Sequence, residues 1–91
     1  MSEGAASREM PRYRSHKIVH ALQIARMKRL PDGGALLSWV NKDYAPFTVS
    51  AAYVHKHVPY PGGYYVSYAD GYQSFSPAEA FESGYTLMER P

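Results

Sequence analysis

Two pairs of histidines have a spacing that a metal site would need. His16 and His20 are four residues apart and would share one face of a helix, whereas His55 and His57 would share one face of a strand. Neither pair has an aspartate, glutamate or cysteine nearby in the sequence to complete a ligand set. Histidines at the end of a helix are also stabilised by the helix dipole, which explains His55 and His57 without a metal. We therefore expect surface or capping histidines and no metal site.

The other combinations that could support catalysis are weak. Glu79 and Glu82 are three residues apart, as paired acid and base carboxylates on a helix would be, but Glu79 also fits a helix cap. No serine lies in a nucleophile-elbow motif, and the glycine pairs at 33–34 and 62–63 lack the Lys-Ser/Thr partner of a phosphate loop. We predict a protein that is not an enzyme and uses no cofactor.

Tyrosines and basic residues are the more informative set. The chain has nine tyrosines, of which six lie between positions 60 and 85. Residues 1–30 carry seven Lys/Arg and two Glu, a net charge of +5, and the remainder of the chain carries −3. Exposed aromatic rings beside Lys/Arg are typical of small sheets that stack nucleic-acid bases, although most basic side chains are simply solvated. The candidate ligand- or partner-binding residues are Tyr65, Ser67, Tyr72, Arg26 and Lys28.

Size and composition limit the organisation of the chain. Its 91 residues allow one compact domain, and a chain of this size buries only about 60–65% of its unfolded surface. It has no cysteine, which excludes a disulfide framework and a thiolate zinc site. No apolar run reaches the roughly 18 residues of a membrane span, and the N-terminus lacks the apolar stretch of a signal peptide. We expect a flexible arm over 1–12, a single domain over 13–91, a cytoplasmic location and no membrane contact.

The segment 16–30 is compatible with both a strand and a helix. Its alternating pattern predicts a strand, while the spacing of Ile18, Leu22 and Ala25 also suits a helical stripe that Ser15 would cap. The turn cluster Pro31-Asp-Gly-Gly and the strand-like run that follows it favour a hairpin, and hence a strand. Further along, the sequence predicts a short strand over 47–49 and a helix over 50–57 with Ser50 as its N-cap.

Asp70-Gly71 predicts a second hairpin closed by a two-residue type I′ turn. With that turn Val66 faces Phe75 and Tyr68 faces Gln73. The face predicted to lie on the core consists of Tyr64, Val66, Tyr68, Gln73 and Phe75. The face predicted to meet water or a ligand consists of Tyr65, Ser67, Ala69, Tyr72 and Ser74. A shift of one residue in the register would reverse this assignment.

A capping box predicts a helix over 76–83. The Ser76 hydroxyl would accept from the backbone N–H of Glu79, and Gly84 would end the helix in the left-handed conformation. Phe81 would anchor this helix on the sheet, so that Phe81→Ala would cost about 3 kcal/mol or more. Beyond it, Tyr85, Leu87 and Met88 would add a last short strand or cover the core. The predicted fold class is α+β, a small antiparallel sheet of about 4–5 strands with two short helices.

Four short motifs resemble those of small tailed-phage and prophage hypothetical proteins. They are Tyr13-Arg-Ser-His-Lys, Val19-x-Ala21-x-x-Ile24, Gly63-Tyr-Tyr-Val in place of a Gly-Asp-Tyr-Ile-like strand, and the helix exit Ser76-Pro-Ala-Glu-Ala-Phe81-x-x-x-Tyr85. The resemblance implies a phage or prophage origin, an α+β fold and a location in a bacterial host. It implies no catalytic residue.

We therefore expect a non-enzymatic phage-type accessory protein that acts by binding. The first hypothesis is a protein-interaction or assembly module that binds a protein partner or itself, for example through an exposed sheet edge. The alternative is a module that binds nucleic acid or a nucleotide-like small ligand, such as a phage sponge for host signalling molecules.

Overall fold

A computed structural model of the protein describes residues 10–11 and 17–88. The predicted arm over 1–12 and His16 therefore lie largely outside the described residues. The elements in chain order are β1 (Val19–Arg29), β2 (Ala35–Trp39), β3 (Phe47–Val49), α1 (Ala51–His57), β4 (Tyr64–Tyr68), β5 (Gln73–Ser76) and α2 (Ala78–Gly84). The strands form one antiparallel sheet in the order β3-β2-β1-β4-β5. The predicted α+β class with five strands and two short helices is confirmed.

The ambiguous segment 16–30 forms strand β1 over residues 19–29, as the turn chemistry favoured. Leu30 N–H donates to the carbonyl of Gly34 at 2.9 Å, and Gly33 N–H donates back to Leu30 at 3.0 Å. The Asp32 carboxylate accepts from Gly34 N–H at 2.8 Å and closes the turn. This turn brings β2 beside β1, and the resulting backbone pairing stabilises the strand over the helical alternative.

Strand β1 pairs with two neighbouring strands, β4 and β2. Its residues 19–23 pair with β4, and its residues 24–29 pair with β2, with a break in register between Ile24 and Arg26. Such a β-bulge bends a strand and increases its twist. The sheet consequently curls: the ring of Phe47 in β3 lies 5.1 Å from that of Tyr65 in β4, although these strands are not neighbours in the sheet.

The core lies inside this curl and is rich in aromatic rings. Its buried members are Ile24, Ala35, Leu37, Trp39, Val49, Tyr53, Val54 and Tyr65. The Trp39 ring packs edge-on against Phe47 at 4.9 Å and tilted against Tyr65 at 5.7 Å. Trp39 Nε1–H donates to the carbonyl of Ala45 at 3.0 Å, so its polar group is satisfied although the side chain is buried.

Helix α1 closes the opening between the two edge strands. It begins where β3 ends, and Ser50 caps it as predicted, its hydroxyl accepting from Tyr53 N–H at 3.1 Å. The Tyr53 hydroxyl then donates to the carbonyl of Ser74 in β5 at 2.6 Å. This hydrogen bond fastens α1 to β5 and holds the helix across the opening.

The register of the second hairpin differs by one residue from the prediction. Tyr65 pairs with Phe75 and Val66 pairs with Ser74, around a three-residue loop. Gly71 N–H closes a turn onto the carbonyl of Tyr68 at 2.9 Å, and Gly71 has a φ of 91°. A type I′ turn would require positive φ at Asp70 too, which is unfavourable for an L-residue, whereas the longer loop requires it only at glycine.

The shifted register places Tyr65 in the core together with Phe75. Tyr65 is only 8% exposed, so its predicted place on the outward face is wrong. Val66 is buried as predicted, but on the opposite face of β4 and beside Ser74.

The capping box at the second helix does not form. Ser76 is the last residue of β5, where it pairs with Tyr64, and its hydroxyl contacts the carbonyl of Pro77 at 3.3 Å. Pro77 is therefore the N-cap and has no capping side chain. Gly84 ends the helix without a positive φ, and the extended residue that follows is Tyr85, with φ of −133°. Residues 85–88 form no strand and are exposed, contrary to the prediction.

Replacing Gly63 with alanine is expected to destabilise the fold by about 1–3 kcal/mol, the range for overpacking a core. Gly63 is buried, and a β-carbon there would overlap the ring of Phe75. The control is Gly84→Ala, which meets open space in a helix and should stabilise by about 0.5–1 kcal/mol. Urea unfolding of the two variants measures both effects. Equal stabilities would show that Phe75 does not pack on this backbone.

Replacing Tyr53 with phenylalanine is expected to lower the free energy of unfolding by about 0.5–1.5 kcal/mol, because the Ser74 carbonyl loses the hydrogen bond from the Tyr53 hydroxyl. Burial raises the pKa of Tyr53 well above its ordinary value of 10.0, with nearby tyrosines adding to the effect. Because the pKa of Tyr53 is higher in the folded than in the unfolded state, the neutral hydroxyl adds stability that is fully present below pH 10.0. This added stability is lost as the pH rises above 10.0 towards the pKa of the folded state. The variant should therefore show a shallower alkaline loss of stability than the wild type.

The matched control for this prediction is Tyr60→Phe. Tyr60 is half exposed and its ring contacts Phe75, but its hydroxyl makes no hydrogen bond within the described residues. If both variants unfolded alike between pH 7 and pH 11, the bond from α1 to β5 would contribute nothing to closure of the sheet.

Candidate functional site

The outer face of β1 carries the candidate site. Side chains alternate along a strand, which puts Val19, Ala21 and Gln23 on the face away from the core. The extra residue at the bulge keeps this face continuous, so that Arg26 and Lys28 follow on the same side. Arg26 and Lys28 are both exposed. One strand face therefore changes from apolar at its start to basic at its end.

The apolar end of this face forms an open groove of about 1360 Å³. We call it the apolar groove; it lies between the start of β1, helix α2 and residues 85–88. Large apolar side chains are exposed along it: Ile18 at 62%, Leu87 at 93% and Met88 at 65%. Contiguous exposed apolar side chains of this kind mark interaction surfaces more often than isolated ones do.

A stack of three aromatic rings forms one wall of the apolar groove. The Tyr64 ring stacks on Phe81 at 4.2 Å, and Phe81 stacks on Tyr85 at 4.7 Å. The Tyr64 hydroxyl donates to the Glu82 carboxylate at 2.8 Å, and this hydrogen bond, followed by burial, raises the pKa of Tyr64. Phe81 thus anchors α2 on β4, but through a half-buried stack: no residue of α2 is buried.

The basic end of the face forms a smaller hollow of about 310 Å³. This basic hollow is lined by two cationic side chains, Arg26 and Lys42, together with Ser38, Trp39, Tyr44 and Pro46. Within the part of the chain that the structure describes, Arg26 and Lys42 form no ion pair with an acidic side chain. Tyr44, which is 47% exposed, lines both the basic hollow and the apolar groove. The two depressions therefore form one continuous surface.

A separate aromatic cluster lies at the tip of the β4–β5 hairpin. Tyr68 and Tyr72 stack at 5.9 Å, with the Lys17 ammonium 4.9 Å from the Tyr68 ring centre and the Lys56 ammonium 5.1 Å from that of Tyr72. These cation–π contacts occupy ring faces that a nucleic-acid base would need.

The five residues predicted as a binding site are not in one place. Tyr65 lies in the core, and Ser67 is half buried on the same face of β4, paired with His20. Tyr72 lies at the hairpin tip and is 44% exposed. Arg26 and Lys28 do share a face, on the outside of β1.

The hairpin tip and the basic residues are far apart. The β1 residue level with Tyr68 is Val19, which is seven positions before Arg26. At about 3.3 Å per residue this is roughly 23 Å along the strand. A role in binding for these residues stays a prediction.

Sequence reasoning missed the contributions of Lys42, Tyr44 and Leu87. Lys42 and Tyr44 lie in a loop without periodicity, and Leu87 was expected to be in a strand or over the core. The sequence signal for these three residues was their type alone: Lys42 is a cation, and Tyr44 and Leu87 are large apolar side chains, none with an obvious interaction partner in the sequence.

His20, His55 and His57, the histidines that the structure describes, belong to no cluster that suggests chemistry. Among the described residues no group of three or more His, Cys, Asp or Glu side chains could hold a metal ion. His55 and His57 lie in the last turn of α1, as predicted, and burial, with Lys56 nearby, lowers the pKa of His57. Neither helix in the described part of the chain is long and apolar enough to cross a membrane.

Comparison with known proteins gives one informative similarity. No protein-family model matches the chain, and no curated protein matches it. The fold is similar to the NMR solution structure of the monomeric form of the phage L decoration protein, with a TM-score of 0.61 and 33% sequence identity. The match covers 77% of this chain and 52% of that one, so this chain spans about half the length of its structural neighbour.

The neighbour is a phage protein, which is consistent with the phage origin that the sequence resemblance implied. It supports the broad assignment to phage accessory proteins. It confirms neither the four motifs nor the group of hypothetical proteins to which they pointed.

Replacing Phe81 with alanine is expected to cost about 1–2 kcal/mol, less than the sequence alone suggested. The ring is half buried and its main contacts are the stacks with Tyr64 and Tyr85, and an aromatic pair adds about 0.5–1.5 kcal/mol beyond its buried area. Phe81→Leu, which keeps apolar bulk but loses the stack, should have an intermediate stability. Urea unfolding measures both, and a cost above about 3 kcal/mol for alanine would place the ring in the core after all.

Proposed function

We propose that the protein is a phage accessory protein that attaches to the coat-protein surface of a phage particle. It acts by binding and not by catalysis. The observation that carries this proposal is the similarity to the phage L decoration protein, at 33% identity over 77% of this chain. An identity of this size over most of the domain supports a related role as well as a related fold.

The surface of the fold is suited to such a role. Helix α1 packs against β5, where Tyr53 donates to the Ser74 carbonyl, and so leaves less of that strand open to pairing with a second copy. The outer face of β1 instead exposes apolar and basic side chains together. A rigid small sheet that presents such a face can bind a large assembly without rearranging.

Nucleic-acid binding is a second candidate function, and the basic hollow favours it. Arg26, Lys28 and Lys42 are cations on one side of the sheet, and the Tyr44 ring beside them is exposed. The tyrosines that the sequence singled out lie away from the basic hollow: Tyr65 is buried, and Tyr72 is at the hairpin tip with the Lys56 ammonium over its ring. The same placement weakens the nucleotide-sponge hypothesis, which required accessible tyrosines around a pocket.

Co-sedimentation with coat-protein shells tests the proposal. The shells are assembled from the coat protein of the phage that encodes the chain, and shells of an unrelated phage are the control. We expect saturable binding to the cognate shells only, because the recognised surface is specific to them. Binding to neither kind of shell, together with binding to single-stranded DNA that weakens steeply with salt, would show that the second candidate is correct.

A further inference from the structure

We infer that the continuous surface along the outer face of β1 is the docking site for the coat protein. Its occupant is a coat-protein segment that carries apolar side chains at one end and carboxylates at the other. This inference rests on the proposed function and adds to it the surface and the chemistry of the partner.

The geometry joins the two ends into one site. The apolar groove and the basic hollow share Tyr44, whose exposed ring lines both. Both also lie along the same face of β1, which the bulge after Ile24 carries through to Arg26. A segment that follows this strand face would therefore contact the groove, then Tyr44, then the hollow.

The apolar end selects apolar side chains. Ile18, Leu87 and Met88 are each more than half exposed, so burying them removes a large apolar area from water. The stacked rings of Phe81 and Tyr85 provide a firm wall for this contact, because each is held by its neighbours. The backbone at Tyr85 is extended, and residues 86–88 after it are exposed, so that a partner can reach them.

The basic end selects carboxylates. Arg26 and Lys42 have no acidic partner among the described residues, and a guanidinium can hold a carboxylate through two parallel hydrogen bonds. Among the described residues the apolar groove is lined by one carboxylate, that of Glu82, and one ammonium, that of Lys17. The basic hollow is lined by Arg26 and Lys42 and by no acidic side chain of the described residues. The net positive charge of the hollow therefore places the acidic end of the bound segment there.

Four single variants test the site by shell co-sedimentation. Arg26→Glu changes the basic hollow, and Leu87→Asp changes the apolar groove; neither side chain is in the core. Each should weaken binding to the cognate shells by about tenfold or more, as loss of an interfacial charge or apolar contact does. The controls are Lys56→Glu, with the same change of net charge, and Val58→Asp, an exposed apolar residue that lines neither depression. They should change binding by less than about twofold.

A second measurement locates the contact without mutation. Hydrogen exchange of the wild-type chain on shells should show protection of residues 17–28, 42–46 and 84–88, and none at the hairpin tip. Unchanged thermal melting of all four variants confirms that they fold.

The outcomes separate the inference from the proposal beneath it. If the wild type binds cognate shells and all four variants bind equally well, the proposed function stands and the docking site is wrong. If the wild type forms a dimer that Leu87→Asp disrupts while shell binding persists, the occupant is a second copy and the inference is overturned. If the wild type binds no shell, the proposed function itself fails.

Discussion

The backbone pairing of β1 on both of its edges is the constraint on which the rest of the structure depends. Its first half pairs with β4 and its second half with β2, with a bulge between them. A straight strand would give a flat sheet with two separate faces. The bulge bends the sheet so that Phe47 reaches Tyr65 and a core closes around Trp39. A domain of this size can form only one hydrophobic core, and the curl of the sheet encloses it.

The same strand separates the stability of the protein from its candidate function. The inner face of β1 contributes Leu22, Ile24 and Met27 to the core or its boundary, and the outer face carries the residues proposed to meet a partner. Substitutions on the outer face can therefore alter binding while the core remains intact.

The β4–β5 hairpin shows how a single residue in a loop changes the interpretation of a surface. With two loop residues Tyr65 would face outward beside Tyr72, as a stacking platform for bases. With three, Tyr65 turns into the core, and the Ser74 carbonyl lies where Tyr53 of α1 can bond to it. The tyrosine-rich appearance of this segment is thus mainly a property of the core and of the hairpin tip.

The sequence by itself determined the local elements, because their signals are local. The turn at 31–34, the cap at Ser50 and the strand over 19–29 that this turn favours depend on neighbouring residues, and each forms as predicted. Only the tertiary structure decided the hairpin register, the loss of the Ser76 cap and the meeting of Tyr44 with Arg26. Those features depend on contacts between residues distant along the chain, where packing around a shared core outweighs local preference.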